Sequence, residues 1–237
     1  PTFSGVLCFL EYEIKTQTML NIQYKIEQVK PKVFAVIIED SYDRAMTFCR
    51  VQEYYESPNP TFRGNSDFSF TEYMKWYSKE YGRGFTYGVD WSGFNVPLET
   101  AYQCYDTLTD RYTDYDDVME SIVHQLYELN GDDVDGYMIG AGSTEGDTFQ
   151  HEICHGLYAT NKHYKDLVSE ITLTIPTKDY LTFRNNLIKM GYTDKVIDDE
   201  IQAYLAFGHD YKPFTKGVDS KVCKGLHKQY INVFNNF

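Results

Sequence analysis

The chain has no C-x-x-C pair, no internal repeat, no low-complexity tract and no Pro- or Ser-rich linker. Its five cysteines, Cys8, Cys49, Cys104, Cys154 and Cys223, are odd in number and widely scattered, which argues against a disulfide framework. Free thiols in a reducing compartment are expected. No stretch approaches the roughly 18 apolar residues of a membrane-spanning helix. The apolar run from Gly5 to Leu10 follows no basic residues and runs into Glu11 and Glu13, so it fails as a secretory signal and reads as a buried strand. The opening Pro1-Thr2-Phe3 fits removal of an initiator Met and fits proteolytic processing equally. A cytoplasmic or otherwise intracellular, soluble protein is the expectation. Cations are scarce: 22 Lys and Arg stand against 35 Asp and Glu, a net charge of −13 that repels polyphosphate and argues against nucleic-acid binding. Gly82-Arg83-Gly84 lacks the third glycine of a dinucleotide loop, because Tyr87 stands where that glycine would fall.

What is abundant is aromatic side chain. The 22 Tyr and 15 Phe help bring the hydrophobic fraction to 42%, ample for a core across 237 residues. A single domain spanning 1–237 is expected, with a soft division into an aromatic-rich lobe, 1–105, and a second lobe, 106–237. Val33 to Ile38 is a β-branched run between Pro31 and Glu39-Asp40-Ser41 and predicts a central strand, followed by a helix capped by Ser41 and stopped at Ser57-Pro58. Residues 81–97, with four glycines among aromatics, read as irregular. Asp114 to Leu129 presents Val118, Ile122, Val123, Leu126 and Leu129 on one helical face, with Asn130-Gly131 as its stop. Tyr137 to Ala141 predicts a second strand. Helices are then expected over about 147–169, 177–190 and 193–207, and an amphipathic closing helix over 216–228. The fold class predicted is α+β: a small, mostly antiparallel or mixed sheet including 33–38 and 137–141, packed with a largely helical C-terminal half.

Chemistry concentrates at His151-Glu152-Ile153-Cys154-His155. On a helix, residues four apart lie one turn above each other on one face, so both imidazoles can reach one metal ion while Glu152 lies beside an open coordination position. The preceding context is a strand ending at Ala141, a turn with Ser143 and Thr144, then a helix entering the motif. A surface helix whose histidines merely satisfy hydrogen bonds is the plain alternative.

With its HExxH, the chain resembles the zincin metallopeptidases, whose catalytic zinc requires a third protein ligand and one open position. The metzincin pattern fails, because Tyr158 and Asn161 stand where its Gly and third His belong; His163 lies too far along the helix and reads as a packing or solvated residue. Glu200 with Ala203 is similar to the E-x-x-A form of gluzincins, with the small residue allowing two helices to pack closely. Asp199 is an aspzincin-like alternative. Acidic residues in a first helical turn also have a purely structural use. Cys104 is the candidate if His151–His155 is instead similar to the last motif of peptide deformylases, although Tyr102-Gln103-Cys104-Tyr105-Asp106 departs from that family's cysteine pattern.

The gluzincin resemblance implies one Zn²⁺ per chain held by His151, His155 and Glu200, with Glu152 as general base acting on a peptide or protein substrate. The oxyanion donor of that class would be Tyr204, His209 or Tyr211. By analogy, the strand at 137–141 would be the sheet edge that an extended substrate joins. No nucleic-acid or membrane partner is expected. The rival functions are a zincin-like binding or regulatory protein without peptidase activity, and a metal hydrolase of another amide bond. Residues 1–130 add no motif.

Overall fold

The computed structural model describes residues 20–91 and 93–237, so the Gly5 to Leu10 run and Cys8 lie outside the described residues. The fold is α+β, and the chain forms two compact units: the first ends at Thr144 and the second is Glu145–Phe237.

In the first unit, β1 (Lys25–Lys30) and β2 (Val33–Ile37) are joined by Pro31-Lys32, with Lys32 at φ 63°. Helix α1 (Ser41–Glu56) follows. Its cap is Asp40, one residue before the predicted Ser41, because the Asp40 carboxylate accepts the Tyr42 and Asp43 N–H groups at 2.9 Å. Next come α2 (Phe70–Glu80), α3 (Tyr87–Asp90), β3 (Phe94–Pro97), α4 (Leu98–Asp106), α5 (Asp114–Leu129) and β4 (Tyr137–Ala141). The soft division expected at 105/106 falls at the end of α4.

The four strands of the described residues form one mixed sheet in the order β1-β2-β4-β3. β2 runs parallel to β4, with Val33 opposite Tyr137 and Ile37 opposite Ala141, whereas β1 and β3 pair antiparallel to their neighbours. Because β4 is hydrogen-bonded on both sides, it is not the edge that a substrate strand could join; among the described residues the edges are β1 and β3. Its position explains its composition, since a strand flanked on both sides and buried at all five residues has no polar face to keep. At Gly140 the Phe48 ring of α1 lies directly on the strand, and a Cβ there would stand 2.5 Å from Phe48 Cζ.

Residues 81–97 are more ordered than their glycines suggested. Tyr73 and Tyr77, four apart on α2, pack with Phe62, Phe68, Trp76, Phe85 and Tyr87 into an aromatic cluster with centroid separations of 5–6 Å. Phe62, Phe68, Tyr73, Tyr77 and Tyr87 of this region are therefore core, whereas Tyr81 and Trp91 stay exposed. Buried at the same end is Arg50, whose Nε and Nη2 donate to Asp116 at 2.7 and 3.0 Å. Its remaining donors reach the carbonyls of Ser66, Phe68 and Arg111. Asp116 also caps α5 by accepting from the Thr113 N–H at 2.8 Å.

The second unit is all helical: α6 (Asp147–Thr160), α7 (Lys162–Thr174), α8 (Thr177–Met190), a 3₁₀ turn (Asp194–Val196), α9 (Ile197–Ala206), α10 (Lys212–Thr215) and α11 (Ser220–Phe234). The helix expected over 147–169 is broken at Asn161, whose extended backbone ends α6 and whose side chain accepts the Tyr164 N–H to cap α7. The closing helix begins at Ser220 rather than 216, because Gly217 at φ 90° turns the chain and Asp219 supplies the cap. α9 is packed by α6, α7, α8 and α11 and is buried at seven of its ten residues. No helix among the described residues is long and apolar enough to cross a membrane.

Candidate metal centre

The face-to-face packing of α6 on α9 builds the site. His151 and His155 are one turn apart on α6, and their Nε2 atoms stand 3.1 Å from each other. Glu200 enters from the first turn of α9, with its carboxylate oxygens 3.8 Å from His151 Nε2 and 3.7 Å from His155 Nε2. Ala203, fully buried one turn later, presents only a methyl group where the helices pack. The side chains are 12%, 5% and 11% exposed for His151, His155 and Glu200, so the cluster is largely withdrawn from water.

These separations can be tested against a metal. Donors bound tetrahedrally at about 2.0–2.2 Å from zinc lie roughly 3.3–3.6 Å apart. The observed 3.1, 3.7 and 3.8 Å bracket that range. Two imidazole nitrogens and one carboxylate are also the donor set of a three-ligand site that leaves one position open. The residues present fit a zinc ion.

The outer nitrogens are held as well. His155 Nδ1 lies 2.9 Å from Asp199 Oδ1, which also accepts from Gln202 Nε2 at 3.0 Å. Gln202 Oε1 in turn accepts from Tyr164 OH at 2.7 Å. Gln202 and Tyr164 are fully buried, so the network fixes the His155 ring from inside the helical core. Asp199 thus occupies the far side of an imidazole, away from the three converging donors. Its neighbour Asp198 accepts from Tyr180 OH at 2.8 Å.

Electrostatics follow from this arrangement. Burial pushes the His155 imidazole down, but Asp199 and Glu200 outweigh it and raise the pKa to about 10. His151 is held well below its ordinary value by burial and by His155, opposed by the backbone carbonyls of Ala203 and Phe207. A nearly dry pocket with clustered carboxylates favours positive charge at its centre, whether a proton or a cation. Glu152, half-buried, is close enough for its charge to act on His155, Tyr192 and Tyr204.

Of the three oxyanion candidates, Tyr204 lies at the site: its ring meets that of His151 edge-on at 4.6 Å. Tyr211 stacks on Tyr204 at 5.8 Å, and His209 stacks on His227 at 3.9 Å. Tyr192, which no sequence pattern marked, brings its hydroxyl within 3.1 Å of the Tyr204 hydroxyl. It is delivered by the Gly191 turn after α8, where Gly191 at φ 105° lets the Tyr192 N–H return to the Leu187 carbonyl at 3.1 Å. His163 lies on α7 with its ring against Phe237. Cys104 is fully buried in the first unit's hydrophobic cluster, where burial pushes its thiol up to about 12, and it is not among the converging donors.

No family model, no curated protein and no solved structure matches this chain.

Proposed function

We propose that the second unit carries a zinc-dependent metallopeptidase centre of gluzincin type, in which His151, His155 and Glu200 hold one Zn²⁺ and Glu152 is the general base acting on a peptide or protein substrate. The observation that carries this reading is the convergence of the three donors within 4.8 Å of one another from two packed helices, with the charge of Glu152, on the same turn of α6, acting on His155. When bound, zinc supplies Lewis acidity, lowering the pKa of water toward about 7 and polarising a carbonyl.

The protein's own groups supply the rest. Glu152 accepts a proton from the attacking water and returns it to the leaving amine, which requires a carboxylate within hydrogen-bond reach of both. Its half-buried position restricts competing water. The Tyr192–Tyr204 hydroxyl pair can donate toward charge developing on the carbonyl oxygen, and burial together with Glu200 keeps both phenols protonated, as a donor must be. Asp199 and Gln202 hold His155 at one orientation.

Elemental analysis of the purified protein, followed by a peptide-library screen, tests the reading. About one zinc per chain is expected by the ligand count, with loss in Glu200→Ala, retention in Cys104→Ser, and cleavage abolished in Glu152→Gln without loss of zinc. Failure to take up zinc when it is added back overturns the site. Zinc retained without cleavage across the library points to a binding or regulatory role, or to a different amide bond.

A further inference from the structure

The second unit also holds a cavity of about 520 Å³ where the chain passes from α9 into α11. Its lining includes His209, Lys212, Lys216 and Lys224 together with the Asp210 carboxylate and the apolar Val218 and Cys223. Lys216 also borders an adjoining depression of about 450 Å³ that is lined by Lys189. Such a concentration of lysine runs against a chain whose net charge is −13.

Lys212, Lys216 and Lys224 appear in no ion pair among the described residues, a state they share with most of the other lysines and arginines there. The backbone carrying them is nevertheless fixed. Buried Asn186 donates to the carbonyls of Phe214 and Lys216 at 2.8 and 2.9 Å, and Thr215 Oγ1 donates to the Tyr211 carbonyl at 3.0 Å. Three lysines and a histidine bordering one cavity, on a segment whose backbone is braced, offer several donors to a small anionic group.

The cavity is close in sequence and in packing to the metal centre. Phe207, whose carbonyl faces His151, precedes the lining residue His209 by two positions. Tyr211, next to Lys212, stacks on Tyr204, whose ring contacts His151. One short segment therefore supports a proposed metal ligand at one end and opens the lysine cavity at the other.

We infer that this cavity binds the side-chain carboxylate of an acidic peptide, making acidic peptides the substrate class of the proposed centre. The word substrate rests on the peptidase reading; binding of the carboxylate does not. The overall acidity of the chain disfavours an extended polyanion, which would face repulsion beyond the cavity, and favours a ligand with one or two charges.

The test measures fluorescence anisotropy of a short fluorescein-labelled peptide carrying adjacent Glu residues, against its Gln counterpart, on the full-length Glu152→Gln protein. The acidic peptide is expected to bind about tenfold more tightly, with the preference shrinking as salt rises. Lys216→Gln/Lys224→Gln should abolish the preference, Lys216→Arg/Lys224→Arg should retain it, and Lys165→Gln/Lys178→Gln should leave it unchanged. Equal binding of the two peptides, a preference that survives the Gln pair, or displacement of the acidic peptide by duplex oligonucleotide at equal concentration would overturn the inference. Zinc-loaded wild type separates the two readings. Lysine-dependent binding without cleavage sinks the peptidase and keeps the pocket; cleavage of both peptides alike, with equal binding, sinks the pocket and keeps the peptidase.

Discussion

Replacing Asp199 by Asn or Ala tests whether the helical core orients a metal ligand. Asp199 Oδ1 lies 2.9 Å from His155 Nδ1 and also holds Gln202 at 3.0 Å, beside an imidazole only 5% exposed. With a metal on Nε2, the Nδ1–H donates to this carboxylate, which fixes the tautomer and makes the ring a better donor. Asn at 199 preserves an acceptor and removes the charge; Ala removes both and leaves the amide of Gln202 to find another acceptor. Loss of such an outer partner costs roughly 10- to 100-fold in metal affinity, or about 1.4–2.7 kcal/mol. Ala is expected at the upper end and Asn at the lower. Competition between the metal-free protein and a chromophoric zinc chelator gives these affinities directly. Asp198→Asn serves as the control, since that carboxylate faces Tyr180 and not the site; its affinity should stay within about twofold, the small effect expected of a surface change. Zinc affinity unchanged in Asp199→Ala would refute the argument that this network orients the ligand.

Zinc added at about a hundredfold over its dissociation constant should stabilise the protein by about 2.7 kcal/mol; thermal melts should show the shift reversed by chelator and absent in His151→Ala. Asp116→Ala strands the buried Arg50 guanidinium and should cost roughly 3–5 kcal/mol in denaturant unfolding, whereas a cost under about 1 kcal/mol, as for a surface pair, would show that water reaches the pair. Gly140→Ala forces the Phe48 ring off β4 from a 2.5 Å approach and should cost roughly 1–3 kcal/mol, read as a lowered melting temperature. Glu53, buried and accepting from Tyr87 OH at 3.0 Å, has its pKa raised above the ordinary 4.5 mainly by burial. Folding therefore favours its protonated form, and the associated stability is lost as pH climbs from the unfolded value through the raised folded value. Glu53→Gln should flatten that part of the stability–pH curve, and an unaltered slope would reject the assignment.

The elements legible in the sequence are those where a periodic apolar pattern meets a clear stop. α5 and α8 begin and end where the pattern predicted, and β4 matches its apolar run residue for residue. What stayed hidden was decided by tertiary packing. α2 has buried Tyr at 73 and 77, but aromatics recur so densely around it that no helical stripe separates from the background, and the same residues suit a strand. β1 is a half-buried strand with charged residues on its open face and gains its identity from pairing with β2. The break at Asn161 was visible only as a residue able to cap as readily as to continue a helix.

The site divides along the same line. Two histidines four apart declare their shared face without a structure, because helix geometry alone places them. The three consecutive acids Asp198, Asp199 and Glu200 do not, since any of them can serve as a first-turn anion. Successive residues on a helix point about 100° apart, and once α9 is enclosed by four helices each carboxylate is committed to a different neighbour. Asp198 meets Tyr180, Asp199 meets His155 from behind, and Glu200 faces both imidazoles. Buried Gln202, unremarkable in the sequence, links Tyr164 to Asp199. A one-residue slip of α9 would put Asp199 or Ile201 where Glu200 stands. The register of that helix, set by burying Ile197, Ile201 and Leu205 among α6, α7, α8 and α11, is therefore what selects which acid can meet a metal.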